Sequence, residues 1–175
     1  MTRIPFSNHL VYKLVILNAC GAAGVVWGYS QGYIQTLFEG DTTGIGLGIV
    51  ALFAVGLCAV AERSYKVSKA LNRLKAGQFV DGTKFTAKSA YIGDIAVWLV
   101  TLGLIGNIVG FAMAITNLDL SGGADAALAA IGQMVVGMKV AFYVTLIGTA
   151  LGLWIDVNFR ILTTATDLFA KDAAK

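Results

Sequence analysis

The sequence contains few of the side chains on which enzymes and metal sites depend. Its 175 residues include one histidine (His9), one proline and two cysteines. Charged residues make up 13% of the chain, compared with about 25% in soluble domains. Cys20 and Cys58 both fall in apolar segments, so we expect buried thiols that act as small hydrophobic groups and form neither a disulfide nor a metal pair. We therefore expect no enzymatic activity, no cofactor and no metal site.

The chain is instead rich in apolar residues and glycine. Hydrophobic residues make up 57% of it, and there are 21 glycines. About 20 apolar residues suffice to cross a bilayer, and four segments are long enough: 14–37, 45–61, 92–118 and 127–157. We predict an all-α integral membrane protein with a single membrane domain. Its last two helices are long enough to extend beyond the hydrocarbon core into the cytoplasm.

The distribution of charge predicts the orientation of these spans. The connection 62–90 carries seven basic and two acidic residues, whereas those around 39–41 and 119–125 carry acids and no bases. Positively charged connections stay in the cytoplasm, which places both termini, the loop 62–90 and the tail 158–175 there. The net charge of +3 then reflects topology and does not indicate nucleic-acid binding. A signal peptide at the first segment is disfavoured because no small-residue cleavage site follows a short apolar stretch.

The loop 62–90 itself is expected to begin as a helix. Residues Ser64–Lys75 extend the second span in a helical pattern, and turns are predicted at Ala76–Gly77 and Asp81–Gly82.

Small and polar side chains form a stripe on each of the last two spans. On the third span, steps of three and four residues align Gly103, Asn107, Gly110 and Ala114. On the fourth, the residues that share a face are Met138, Ala141, Thr145, Gly148, Thr149, Gly152 and Asp156. Polar groups at this depth either join helices by hydrogen bonds or line an ion path, and the spacing leaves both interpretations open.

Three charged residues near these stripes have structural and functional interpretations. Asp156 lies near the cytoplasmic end of the fourth span, either where an ion leaves the bundle or as an interfacial carboxylate in water. Asp94 begins the third span, where it either pairs with a basic residue of another helix or is an acid that the helix dipole favours. Lys139 extends its head to the outer interface or pairs with Asp119 or Asp125.

The two stripes carry a family resemblance. The segment LGLIGNIVGF at Leu102–Phe111 resembles the LGLLGTVxGF-type signature of the MotA/TolQ/ExbB family, and VAFYVTLIGTALGL at Val140–Leu153 resembles its ALxxTxxGL helix. Both motifs occur in the family's order, on either side of a short outer loop. Four spans with both termini inside are similar to the flagellar-stator branch.

The resemblance implies a channel-forming subunit of an ion-driven motor in the bacterial inner membrane. Such subunits form a homopentamer around two transmembrane helices of a partner similar to MotB, TolR or ExbD. The partner supplies a membrane aspartate that carries H⁺, or Na⁺ in some members. The positions of the family's two pore-facing threonines are occupied here by Asn107 and Thr145. Thr149 and Asp156 lie further along the same ion pathway. The residues expected to pack the helices are Gly103, Gly110, Ala141, Gly148 and Gly152.

Two other functions remain possible from the sequence. One is a tetraspan scaffold subunit that conducts nothing. The other is a small solute transporter, against which the missing mid-span acid and the absence of an inverted repeat argue.

Overall fold

A computed structural model describes residues 7–41, 43–75, 83–116 and 123–173. Within these ranges the regular structure is entirely α-helical, as predicted. The helices are α1 (Ser7–Ser30), α2 (Tyr33–Glu39), α3 (Ile45–Lys75), α4 (Thr83–Thr116) and α5 (Gly123–Ala173).

Four of these helices are long and apolar enough to cross a membrane. The candidate spans are Leu10–Ser30, Ile45–Ala70, Lys88–Thr116 and Ala127–Asp167. At 1.5 Å per residue, the 34 residues of α4 and the 51 residues of α5 extend about 51 Å and about 77 Å. Both exceed the ~30 Å of a hydrocarbon core, and together the four helices indicate a multi-pass membrane protein.

The first predicted span, 14–37, differs from the observed helices. Helix α1 begins earlier, at Ser7, and ends at Ser30, and the rest of the predicted segment forms the separate short helix α2. Gly32 interrupts the helix because its backbone adopts the left-handed conformation, with φ 79°, which is accessible to glycine at little cost. The apolar pattern continued across this position and gave no sign of the break.

The predicted loop 62–90 is largely helical. Helix α3 continues to Lys75, in agreement with the helical pattern of Ser64–Lys75, and α4 begins at Thr83. The second and fourth candidate spans end later than composition predicted, at Ala70 and not at 61, and at Asp167 and not at 157. The helices continue further still, because lysine and alanine favour the helix as well as leucine does. The turns predicted at Ala76–Gly77 and Asp81–Gly82 fall on or next to residues 76–82, outside the described residues.

A capping carboxylate fixes the start of α3. Asp41 accepts hydrogen bonds from the Gly46 amide at 2.6 Å and from the Thr43 amide at 3.1 Å, and the Thr43 hydroxyl accepts one from the Ile45 amide at 3.3 Å. These bonds satisfy amides that have no partner inside the helix, and the negative charge suits the positive end of the helix dipole.

The bundle is built on an antiparallel hairpin of α4 and α5. These two helices make the most extensive contact in the described structure, α3 packs against both, and α1 contacts α3 and α5. The core between them contains fully buried aliphatic side chains, including Ile49, Ile92, Leu99, Val144 and Ile155.

Much of the apolar surface points outward. Trp27, Val55, Leu104, Ile108 and Leu146 are all at least half exposed, as expected for side chains that face lipid or other subunits. The two cysteines belong to this surface: Cys20 and Cys58 are exposed, contrary to the expectation of buried thiols. Their apolar neighbours in the sequence reflect a membrane environment around the bundle, not a position in its core.

Candidate functional site

The candidate site lies where α4 and α5 come closest together. A methyl group added at Gly148 would lie 2.7 Å from the Leu99 carbonyl oxygen and 2.8 Å from the Gly103 Cα. One added at Gly103 would lie 3.2 Å from the Gly148 Cα. Real Cβ atoms essentially never approach backbone as closely as one at Gly148 would, and the approach at Gly103 is tighter than most. This crossing therefore favours residues without side chains.

The same contact continues along both helices. A methyl group at Gly110 would lie 2.6 Å from the Ala141 amide nitrogen, and one at Gly152 would lie 3.0 Å from the Ala96 carbonyl oxygen. The structure thus places all five residues predicted to pack the helices, namely Gly103, Gly110, Ala141, Gly148 and Gly152, at the α4–α5 contact.

Thr145 lies at this crossing and joins the two helices. Its hydroxyl donates to the Ala141 carbonyl of its own helix at 2.8 Å and lies 3.2 Å from the Gly103 carbonyl of α4. The side chain is half buried. Because the hydroxyl proton is directed at backbone carbonyls, the oxygen lone pairs are the part of the group left to interact with anything else.

Asn107 lies one helical turn beyond Gly103, on the same side of α4. Gly103 meets Thr145 and Gly110 meets Ala141, so Asn107 lies at the level of the turn from Ala141 to Thr145. Its Oδ1 atom is buried and, among the described residues, has no hydrogen-bond partner. A buried acceptor left unpaired costs about 1–3 kcal/mol, and such a group calls for an explanation.

Thr149 and Asp156 follow Thr145 along α5. Thr149 is exposed, and its hydroxyl donates to the Thr145 carbonyl at 2.8 Å. Asp156 forms an ion pair with Arg160, in which the Nε–Oδ2 distance is 2.7 Å and the carboxylate side chain is 36% exposed. The predicted face therefore divides into a buried centre, formed by Ala141, Gly148 and Gly152, and a more accessible edge that includes Thr149.

Asp94 and Lys139 lie away from this contact. Asp94 is exposed on α4. Because α4 begins at Thr83, Asp94 is not in its first turn, and the expected effect of the helix dipole does not reach it. The Lys139 ammonium lies 5.4 Å from the centre of the Tyr143 ring, an arrangement in which the ring face stabilises the cation. Of the two acids considered for Lys139, Asp125 is exposed and Asp119 lies outside the described residues.

Comparison with protein-family models, curated proteins and solved structures found no match. The chemistry of the site follows from its own groups, which are hydroxyl oxygens, one amide oxygen and a peripheral ion pair. The sequence has no aspartate or glutamate from Ile95 to Thr116 or from Ala127 to Ile155. Within the described ranges, no group of three or more His, Cys, Asp or Glu residues could hold a metal ion.

The structure also contains a buried polar network that sequence reasoning missed. Asn158 is fully buried on α5, accepts a hydrogen bond from the Asn18 Nδ2 atom at 2.7 Å and donates to the Trp154 carbonyl at 2.8 Å. Trp154 Nε1 donates to the Asn18 Oδ1 atom at 2.9 Å. The network joins α1 to α5. A polar residue within an apolar span drew attention to Asn107, and the same signal at Asn18 could have found this network.

Removing one side of this network is expected to destabilise the bundle. Asn158→Leu leaves the Asn18 Nδ2 atom without its acceptor on α5, and we expect the free energy of unfolding to fall by about 1–2 kcal/mol. The measurement is unfolding in detergent micelles for Asn158→Leu, Asn18→Leu and the double variant. Because the residues share one network, the double variant should cost less than the sum of the singles. A loss of stability in the double variant equal to the sum of the two single losses would contradict the coupling between Asn18 and Asn158.

Proposed function

We propose that the chain is the channel-forming subunit of an inner-membrane motor driven by ion flow, of the kind that its last two spans resemble. Five copies would enclose two transmembrane helices of a partner similar to MotB, TolR or ExbD. The observation that carries the proposal is the buried, unpartnered Oδ1 atom of Asn107 at the level of Thr145.

The chemistry of this pair supports the proposal. The Thr145 and Thr149 hydroxyls direct their protons at backbone carbonyls, so the oxygens they present are acceptors, as is Asn107 Oδ1. A row of acceptors suits a group that brings its own proton, such as a protonated carboxylic acid, and it also suits a bare Na⁺ ion. The two threonine hydroxyls have no proton left to donate to an ionised carboxylate. The charged form of the acid is therefore less favoured there.

The carrier of the ion would then come from another chain. The middle parts of α4 and α5 lack acidic residues, so the titrating group of the proposed motor is the membrane aspartate of its partner. Asp156, near the end of the path, has Arg160 beside it. We assign it the ion's exit toward the cytoplasm.

The outward surfaces of the hairpin offer room for neighbouring copies. On α4, large apolar side chains that are at least two-fifths exposed include Val97, Leu104, Ile108 and Ile115; on α5 they include Ile131, Val135, Phe142 and Leu146. Surfaces of this kind mark contacts with lipid or with other membrane helices. In the proposed pentamer, part of these surfaces contacts lipid and the rest contacts neighbouring copies of the chain.

The experiment that tests the assembly is native mass spectrometry of the complex extracted with the partner encoded by the neighbouring reading frame. We expect five copies of the 18.3 kDa chain and two copies of a protein with one amino-terminal span that contains an aspartate. The chain expressed without that partner provides the control for co-purified contaminants. A stable monomer or dimer that retains full function would overturn the proposal.

A non-conducting scaffold subunit is the second candidate. The bond from the Thr145 hydroxyl to the Gly103 carbonyl favours it, since polar groups in membrane bundles often serve only to join helices. Asn107→Leu separates the two candidates. In a motor the variant assembles normally and loses ion flux, whereas in a scaffold it disturbs assembly and there is no flux to lose.

A further inference from the structure

An apolar groove lies between α1 and α3, on the outside of the bundle and away from the α4–α5 contact. Its volume is about 410 Å³, and aliphatic side chains from both helices line it: Val11, Leu14 and Val15 from α1, and Leu57, Val60 and Ala61 from α3. The groove runs toward the end of the bundle where α1 begins and α3 ends, which we call the basic end. Lys13, Lys69 and Arg73 lie there, together with Lys66, whose charge is paired with that of Glu62.

The polar side chains within the groove already have partners. The Ser64 hydroxyl donates to the Val60 carbonyl at 2.6 Å. The Asn18 amide donates to Asn158 and accepts from Trp154. The groove therefore presents a hydrocarbon surface to its occupant and has little to offer a polar ligand.

Polar and positive groups lie at the mouth of the groove. Tyr65 lines it and is 70% exposed, and Lys69, one helical turn further along α3, is also exposed. Counted from Ile45, about 20 residues of helix cross the ~30 Å hydrocarbon core, which places Tyr65 at the bilayer interface and Lys69 among the headgroups. Tyrosine is typical of that depth, and basic pockets between transmembrane helices bind anionic headgroups.

We propose that this groove is a binding site for one anionic phospholipid. An acyl chain lies along the aliphatic walls, and the headgroup phosphate lies at the mouth with the Tyr65 hydroxyl and the Lys69 ammonium. The apolar walls match the acyl chain, and the positive mouth matches the anionic headgroup. The two parts follow each other in the same order in the groove as in the lipid. The site stands apart from α4 and Asn107, so it does not depend on the proposed motor function.

The test uses the full chain, extracted as its native assembly and placed in phosphatidylcholine vesicles. These contain a minor fraction of phosphatidylglycerol that is spin-labelled near the end of one acyl chain. The wild type should immobilise labelled phosphatidylglycerol in preference to labelled phosphatidylcholine. Ala61→Trp fills the groove and should remove about one immobilised lipid per chain. Lys69→Gln should retain the immobilised chain and lower the preference for phosphatidylglycerol about fivefold, as expected for one basic residue at an anionic surface.

Ala51→Trp is the matched control, because Ala51 is an exposed alanine of the same helix that does not line the groove. It should behave as the wild type. Equal numbers of immobilised lipids in the two tryptophan variants would overturn the proposal. So would a smaller assembly for Ala61→Trp alone, since that result would mean that a second copy of the chain occupies the groove.

Discussion

Thr145→Val is expected to abolish ion-driven activity while the oligomer remains assembled. The change removes the hydroxyl that contacts the Ala141 and Gly103 carbonyls and keeps the shape of the side chain. Interhelical polar contacts in membranes contribute only about 0.6 kcal/mol on average, so the α4–α5 contact should survive. One acceptor oxygen of the proposed path would be lost, and a protonated or cationic group would meet a methyl group in its place.

The measurement is ion flux into vesicles that contain the complex, together with its native mass. Thr145→Ser retains the oxygen and should keep most of the flux. Thr101→Val is the matched control, because the exposed Thr101 hydroxyl donates to the Val97 carbonyl of its own helix and, among the described residues, forms no bond to another helix. Normal ion flux in Thr145→Val would contradict the assignment of Thr145 to the ion path. Loss of the oligomer would instead assign the residue to helix packing.

Gly148→Ala is expected to destabilise the bundle strongly. The new Cβ would lie under 3 Å from the Leu99 carbonyl oxygen and the Gly103 Cα. Both are backbone atoms, which cannot rotate away as a side chain can. The hairpin would have to separate, and we expect the free energy of unfolding to fall by about 3 kcal/mol, the upper part of the range for overpacked cores.

Gly132→Ala provides the comparison within the same helix. No atom of the described residues lies within 4 Å of a methyl group added there, and alanine is the better helix former by about 1 kcal/mol in water. This variant should be neutral or slightly stabilising. The measurement is the unfolding of both variants in detergent, monitored by circular dichroism. Equal stability of the two would show that the close approach of α4 and α5 is not needed for folding.

Part of the candidate site could be predicted from the sequence because helical periodicity places residues on faces. Steps of three and four residues brought Gly103, Asn107 and Gly110 to one side of α4, and Thr145 and Gly148 to one side of α5. Periodicity cannot say which faces meet, nor which polar atoms find partners. The bond between Thr145 and Gly103 and the unpaired oxygen of Asn107 depend on the register of the two helices, and only packing sets that register.

Residues far apart in the chain were harder to relate. Asn18 and Asn158 form one network although 140 positions separate them, and each taken alone resembles an ordinary polar residue in a helix. The break at Gly32 was missed for a related reason. Hydropathy measures the affinity of a segment for the membrane, whereas the end of a helix depends on the conformation of one residue.

The sequence by itself determined that this protein is helical and enters the membrane, because apolar runs of sufficient length have no other stable form in lipid. It also determined which stripes on the last two spans are small enough for close packing. The tertiary structure alone decided how α1 and α3 lie around the α4–α5 hairpin, which polar groups are paired and where a groove remains. These features arise from distances between backbones, and such distances follow from how all the helices pack together.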